Sequence, residues 1–330
     1  MKYVEFLSGR KYMGELNLEE YKVMVSVALI VYNHEKYLRQ AIESILMQKV
    51  NFEYQIIVGD DKSTDASRDI LLEYKEKYPD RFILIFNDQN VGGTKNSYNI
   101  FQNAAGKYIA CLEGDDYWID EYKLQKQVDF LEENGEYLGV SHIIEARDLE
   151  GRYLSRYPKS RRTVGKDVTS DLFLKGHYFS AVATVYRNIY FNKSCDFSIL
   201  YKAHKYIGDF TLCMLLLDNG RIRILDQVMS VYRCRSIEGE SNYNSLRNPI
   251  QQYNDHILLI NAINEHFKFK YDFTREYLER SISVFIYAIR YNEFRNFLST
   301  LKLIPNGTIV MFALLLPLLS VKKVIKKIFS

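Results

Sequence analysis

Three acids fall within four residues at Glu113-Gly114-Asp115-Asp116, directly after the apolar run Tyr108-Ile109-Ala110-Cys111-Leu112. The run reads as a short buried strand, so the acids stand at the rim of a sheet. Adjacent carboxylates repel one another, and such a cluster suits a cation. Hard oxygen ligands favour Mg²⁺ or Mn²⁺, and Mg²⁺ is often held by one or two carboxylates plus substrate phosphates. A metal–diphosphate site is one reading. A polar turn is the other, because Gly-Asp-Asp is also good turn chemistry.

Three earlier apolar runs end the same way. Val23–Val31 stops at Tyr32-Asn33-His34-Glu35, and Tyr54–Val58 stops at Gly59-Asp60-Asp61-Lys62-Ser63-Thr64-Asp65. Phe82–Phe86 stops at Asn87-Asp88-Gln89-Asn90-Val91-Gly92-Gly93. Apolar residues at helical spacing follow each break, over Lys36–Gln48, Ala66–Tyr78 and Thr94–Ala105. Strand and helix alternating at this pace predict a parallel, right-handed α/β sheet with helices on both faces. Ligands in such sheets bind beyond the carboxyl ends of the strands, where this chain keeps its polar clusters.

The totals exclude little but are consistent with that reading. The chain has 330 residues, 47% hydrophobic and 26% charged, as in a globular protein. A net charge of +3 from 44 basic and 41 acidic residues gives no global case for nucleic acid. Cys111, Cys195, Cys213 and Cys234 lack the spacing of a zinc or redox motif, which reads as reduced thiols in a cytoplasmic protein. Residues 1–22 read as a polar leader without a signal peptide.

Further on, Glu121–Glu133 reads as a helix, and Leu138-Gly139-Val140-Ser141 opens another strand. Residues 147–170, rich in Arg, Lys and Ser, read as a mobile or acceptor-facing segment. Ser180–Tyr186 returns to a strand pattern. Thr211–Asn219 reads as a helix, then Arg221–Asp226 and Val228–Arg233 as two short strands. From Pro249 the pattern is helical. The organisation expected is a leader (1–22), an α/β domain (23–246) and a helical C-terminal region (247–330).

Val25-Ser26-Val27 through Tyr32-Asn33, then Ile56–Asp65, Asn90-Val91-Gly92, and Gly106-Lys107-Tyr108-Ile109 into Glu113–Asp116 form an ordered set of motifs. In this order and spacing they resemble family 2 glycosyltransferases of the GT-A fold. Trp118 to Leu131 is similar to that family too, and the resemblance spans residues 23–235. It implies a GT-A type, Rossmann-like, mostly parallel sheet flanked by helices, here with a C-terminal helical extension. It also implies inverting transfer of a sugar from a nucleotide-sugar donor, a UDP-sugar, to an acceptor hydroxyl, with a divalent metal (Mn²⁺ or Mg²⁺). The acceptor would be a glycan or lipid-linked glycan in polysaccharide, capsule or cell-wall synthesis.

The resemblance also assigns residues. Asp115 and Asp116 would hold the metal, and Glu113 stands where the family's first Asp of Asp-X-Asp would be. Asp61 resembles the uracil reader, and Tyr32 the residue stacked near the base; turn chemistry is the alternative for Asp60 and Asp61. Asn33 and Glu35 either cap or touch the nucleotide. Many members carry an Arg-Asn pair after Asn-x-Gly, where this chain has Ser97-Tyr98; Lys95 is the substitute cation, or a solvated lysine.

An inverting transfer needs a base on the face opposite the leaving group. Gly208-Asp209-Phe210-Thr211-Leu212 resembles the family's element for it, with Asp209 as the base and a helix N-cap as the alternative. His204 nearby reads as surface or packing. Val231-Tyr232-Arg233-Cys234-Arg235 resembles a segment that often reads Tyr-Arg-x-His, so Arg233 or Arg235 would approach the diphosphate. Ser236–Asn244 would form a lid that excludes water.

The C-terminal stretch Ile309–Leu319 is apolar, and Lys322, Lys323, Lys326 and Lys327 follow. This pattern reads as a peripheral contact with the inner face of the cell membrane, or else a buried terminal helix or homo-oligomer contact. A sugar-phosphate nucleotidyltransferase is an alternative enzyme, but it would want a Gly-rich basic loop where Tyr32–Glu35 stands. A non-catalytic sugar- or partner-binding module is the other alternative, and the acids at Asp115, Asp116 and Asp209 argue against it.

Overall fold

The structure, a computed structural model, describes residues 22–159, 163–192, 195–234 and 249–315. It divides into two compact units, at 236/237. The first begins with β1 (Val25–Val31), α1 (Leu38–Leu46), β2 (Tyr54–Asp60), α2 (Ser67–Lys77), β3 (Phe82–Phe86) and α3 (Gly93–Gln102). β4 (Tyr108–Glu113), β5 (Tyr117–Trp118), α4 (Lys123–Glu133), β6 (Tyr137–Arg147), β7 (Tyr153–Tyr157) and β8 (Asp167–Val168) follow. α5 (Ser170–Leu174), β9 (Val185–Arg187), α6 (Ile199–Lys202), α7 (Asp209–Asn219) and β10 (Arg221–Arg233) complete it.

Among the described residues these strands make one sheet, ordered β3-β2-β1-β4-β9-β6-β10-β5, with β7 beside β6 and β8 beside β10. β3, β2, β1 and β4 are parallel. β9 runs against both β4 and β6, and β6 is parallel to β10. The expected mostly parallel sheet is therefore present, interrupted at β9. β1 owes its central place to its side chains: Val25, Val27, Leu29 and Val31 are all fully buried, and Ala28 nearly so. An apolar run without alternation has two faces to hide, which only a covered parallel strand satisfies. Burying each Val or Leu contributes about 1.5–3 kcal/mol.

Three segments differ from the sequence expectation. Only Val185–Arg187 of the stretch beginning at Ser180 is strand; Ala181–Ala183 is a 3₁₀ turn, closed where the Thr184 hydroxyl donates to the Ser180 carbonyl. The two strands expected at 221–233 are one, because the exposed pair Asp226-Gln227 sits in a bulge rather than a turn. Within 147–170, β7 folds back on β6 as a hairpin and β8 pairs with β10. The leader through residue 21, the 236–244 lid, Arg235 and the lysines at 322–327 lie outside the described residues.

The second unit contains α8 (Pro249–His266), α9 (Thr274–Tyr291), α10 (Phe294–Leu301) and α11 (Asn306–Leu315). Ile250, Val284, Ala288 and Phe297 form its core. Tyr277 donates to Asn261 at 2.7 Å, and Thr300 to Asn254 at 2.7 Å. Among the described residues no helix is long and apolar enough to cross a membrane.

One core residue is costly. Lys123 opens α4 fully buried, its Nζ 4.1 Å from the Trp118 ring centroid and without a hydrogen-bond partner among the described residues. Burial lowers its pKa from 10.5 to about 7. Between those values the unfolded chain holds a proton that the fold does not, so stability rises with pH. Lys123→Met should raise stability at pH 7 and remove a gain of about 2 kcal/mol between pH 7 and 9. Urea denaturation of both proteins at the two pH values checks this; parallel pH profiles would refute it.

Candidate active site

The strand ends converge by register. Val31 on β1 is level with Asp60 on β2, and Ile30 with Glu113 on β4. The ladder extends one residue further on each side, through Asp61 N–H to the Val31 carbonyl and Gly114 N–H to the Ile30 carbonyl. The polar clusters after β1, β2 and β4 thus share one rim.

At that rim Glu113, Asp115 and Asp116 each offer a carboxylate oxygen, all within 4.8 Å of one another. Asp116 is nearly buried and its Oδ1 accepts the Arg233 N–H at 2.8 Å. Burial, then Asp115 and Glu113, push its pKa well above the carboxylate range. A buried acid facing two others fits a divalent cation, which would relieve both the repulsion and the desolvation. Gly114 is needed for close approach: a Cβ there would lie 2.7 Å from His34 Nδ1. His34 Nε2 lies 3.9 Å from Asp115 Oδ1. Nothing in the sequence reading singled out His34.

Asp61 is almost fully buried. Its carboxylate accepts from the Val91 and Gly92 N–H groups, both at 2.8 Å, and from the Asn87 amide at 3.1 Å. It therefore holds the Asn90-Val91-Gly92 loop, with three of about four lone-pair sites used. Asp60 accepts from Arg68 at 2.5 Å and from Ser63 N–H. Asn33, at φ 54°, accepts from Thr64 N–H at 2.8 Å, and Glu35 from Ala66 N–H at 2.9 Å. Both side chains thus hold the backbone between β2 and α2, and neither α1 nor α2 has a side-chain cap bond. Tyr32 stays 37% exposed at the rim.

The loop that Asp61 holds in turn holds the element bearing Asp209. Gly92 (φ +91°) lies so close to Lys205 that a Cβ would sit 2.4 Å from the Lys205 side chain. The Thr94 hydroxyl lies 2.8 Å from the His204 and Lys205 carbonyls and donates between them. His204 Nδ1 accepts from the Tyr206 and Ile207 N–H groups, a turn-forming role. α7 then starts, capped by Gly208, so Asp209 is its first residue and not the cap. Asp209 is exposed, and partial desolvation by the surrounding protein raises its pKa. Among the described residues no hydrogen bond ties its carboxylate. Gly208, just before Asp209, packs on Thr94, so α7 starts beside the loop that Asp61 holds.

Lys95 and Arg233 each have partners among the described residues. Lys95 Nζ stands 3.9 Å from the Tyr201 ring centroid and 4.8 Å from that of Tyr98. Arg233 donates to the Asp115 carbonyl and to Gln40 Oε1, and lies against Tyr37 and Tyr117.

The pattern of the family described as "Glycosyl transferase family 2" matches residues 26–214. Protein Rv1520 of Mycobacterium tuberculosis is 32% identical over 209 residues, 63% of this chain and 58% of that one. The chain thus spans under two thirds of that relative's length. The minor teichoic acid biosynthesis protein GgaB of Bacillus subtilis is 34% identical over 121 residues, 36% of this chain and 13% of that one. Among solved structures, S. aureus TarS 1-349 in complex with UDP-GlcNAc is similar with a TM-score of 0.60 and 19% identity, covering 87% of this chain and 83% of that one. That likeness establishes the GT-A fold.

Proposed function

Since the chain belongs to glycosyl transferase family 2, we propose that it is an inverting hexosyltransferase, moving a sugar from a UDP-sugar to an acceptor hydroxyl. The observation that carries this is the Glu113–Asp115–Asp116 cluster on the rim at the end of β4. Similarity to GgaB, named for teichoic acid biosynthesis, supports a surface glycan or lipid-linked glycan as acceptor.

Asp115 and Asp116 would hold Mn²⁺ or Mg²⁺, with Glu113 as a third oxygen donor. When bound, the cation supplies Lewis-acid stabilisation of the leaving diphosphate. Asp209 takes the proton of the acceptor hydroxyl, whose oxygen bonds to the anomeric carbon as the bond to the β-phosphate breaks on the opposite face. Its raised pKa makes it a stronger base than an ordinary carboxylate. Tyr32 stacks on the base. Asp61 holds the 90–92 loop and has one lone-pair site left for a base N–H.

Thermal shift with nucleotide sugars, with and without Mn²⁺, tests this. A ligand at 100 times its Kd adds about 2.7 kcal/mol, or about 4 °C for a chain of this size. The shift should need both metal and a uridine diphosphate. A shift of the same size without metal would overturn the cation role, and one confined to another nucleoside would overturn the donor class.

A further inference from the structure

Arg233 is held by five separate contacts, and none of them points outward. Its N–H donates to Asp116 Oδ1 at 2.8 Å. Its guanidinium donates to the Asp115 carbonyl and to Gln40 Oε1. The same plane lies 4.5 Å from the Tyr117 ring centroid and 5.0 Å from that of Tyr37. The residue is only 9% exposed. A guanidinium has five N–H donors in a rigid fork; here one on each terminal nitrogen is bonded, and the plane lies against two rings.

These contacts join three elements. Gln40 belongs to α1, Asp115 to Tyr117 belong to the turn after β4, and Arg233 ends β10. The turn is already pinned to β10 where β5 pairs with it, Tyr117 opposite Val231 and Trp118 opposite Ser230. Arg233 closes the open side of that pin. Its guanidinium grips the Asp115 carbonyl and its main-chain N–H grips one Asp116 carboxylate oxygen, so the side chain fixes the turn from which both acids project. Three carboxylates within 4.8 Å would otherwise swing apart, since like charges gain by separation.

We propose that Arg233 is a positioning residue, a brace that pre-sets Asp115 and Asp116 for the cation before any nucleotide arrives, and is not a contact of the donor diphosphate. This inference rests on the metal reading of Glu113, Asp115 and Asp116. Gln40, Tyr37 and Tyr117 are parts of the same brace. Its strength lies in planar, two-ended bonding, so charge alone does not replace it.

Mn²⁺ titration followed by the EPR signal of free Mn²⁺, with no nucleotide present, tests it. Arg233→Met should weaken Mn²⁺ binding about 10- to 100-fold, the range for residues that orient metal ligands. Arg233→Lys should restore little of it, and Gln40→Leu, which keeps the arginine, should weaken binding measurably. Circular dichroism and melting confirm that each variant is folded; Gln40→Leu and Arg233→Lys carry the test if Arg233→Met is not. Unchanged Mn²⁺ affinity with lost UDP affinity would overturn the brace in favour of a phosphate contact. Unchanged affinity for both, with a lower melting temperature, would reduce Arg233 to general packing. Wild-type protein that binds no Mn²⁺ would overturn the metal reading itself, and the brace with it.

Discussion

Asp209→Asn should lower kcat by about 10²- to 10⁴-fold, the range for a positioned general base, while UDP affinity stays within about threefold of wild type. The amide keeps the shape and the first-turn position but cannot accept a proton. Asp209 opens α7 without capping it, since Gly208 is the cap, so the exchange leaves the helix start intact. Its carboxylate carries no hydrogen bond among the described residues, so no partner is orphaned. The pH dependence should follow from its environment. Desolvation raises the Asp209 pKa above its ordinary 3.8, and the base works only when ionised. The acid limb of kcat should therefore lie above that of an ordinary Asp, with turnover lost as pH falls through it. Rates of UDP release and calorimetric UDP binding together check the prediction. Equal loss of UDP affinity would show that Asp209 belongs to the donor site instead.

The pattern of apolar runs was enough to predict β1 to β4 and the rim they share, because buried parallel strands leave no alternation to misread. It failed where the chain departs from that grammar. The 181–183 turn and β9 look like one strand, since a buried 3₁₀ turn needs the same apolar residues as a strand. The bulge at Asp226-Gln227 looks like a loop, since two exposed polar residues mark both. The site divides in the same way. Acids in local clusters, Glu113 to Asp116 above all, announce themselves by their spacing. Roles set by distant partners do not. Arg233 meets Gln40 from 193 positions away, and Asp61 meets Gly92 across 31. Neither separation leaves a periodic trace, so these contacts, and the place of His34 beside Gly114, are not legible in the sequence.

Asp116→Asn should give the clearest separation of stability from function: a metal-free protein that melts higher than wild type, with Mn²⁺-dependent turnover lost. Asp116 is nearly buried, and its charge is opposed by desolvation and by Asp115 and Glu113. The amide removes the charge and keeps an oxygen for the Arg233 N–H, the one hydrogen bond that Oδ1 is shown to accept. Relief of this conflict should add about 1–2 kcal/mol, or about 1–3 °C. The same exchange should remove the thermal shift that Mn²⁺ with UDP produces, because an amide oxygen is a poorer ligand for a hard cation than a carboxylate. A residue kept for folding would show the reverse, a lower melting point with the metal response intact. Melting curves of both proteins, with and without Mn²⁺ and UDP, therefore decide whether the acids after β4 are a turn that happens to be acidic. The alternative is a cation site that the fold keeps at a cost to its own stability.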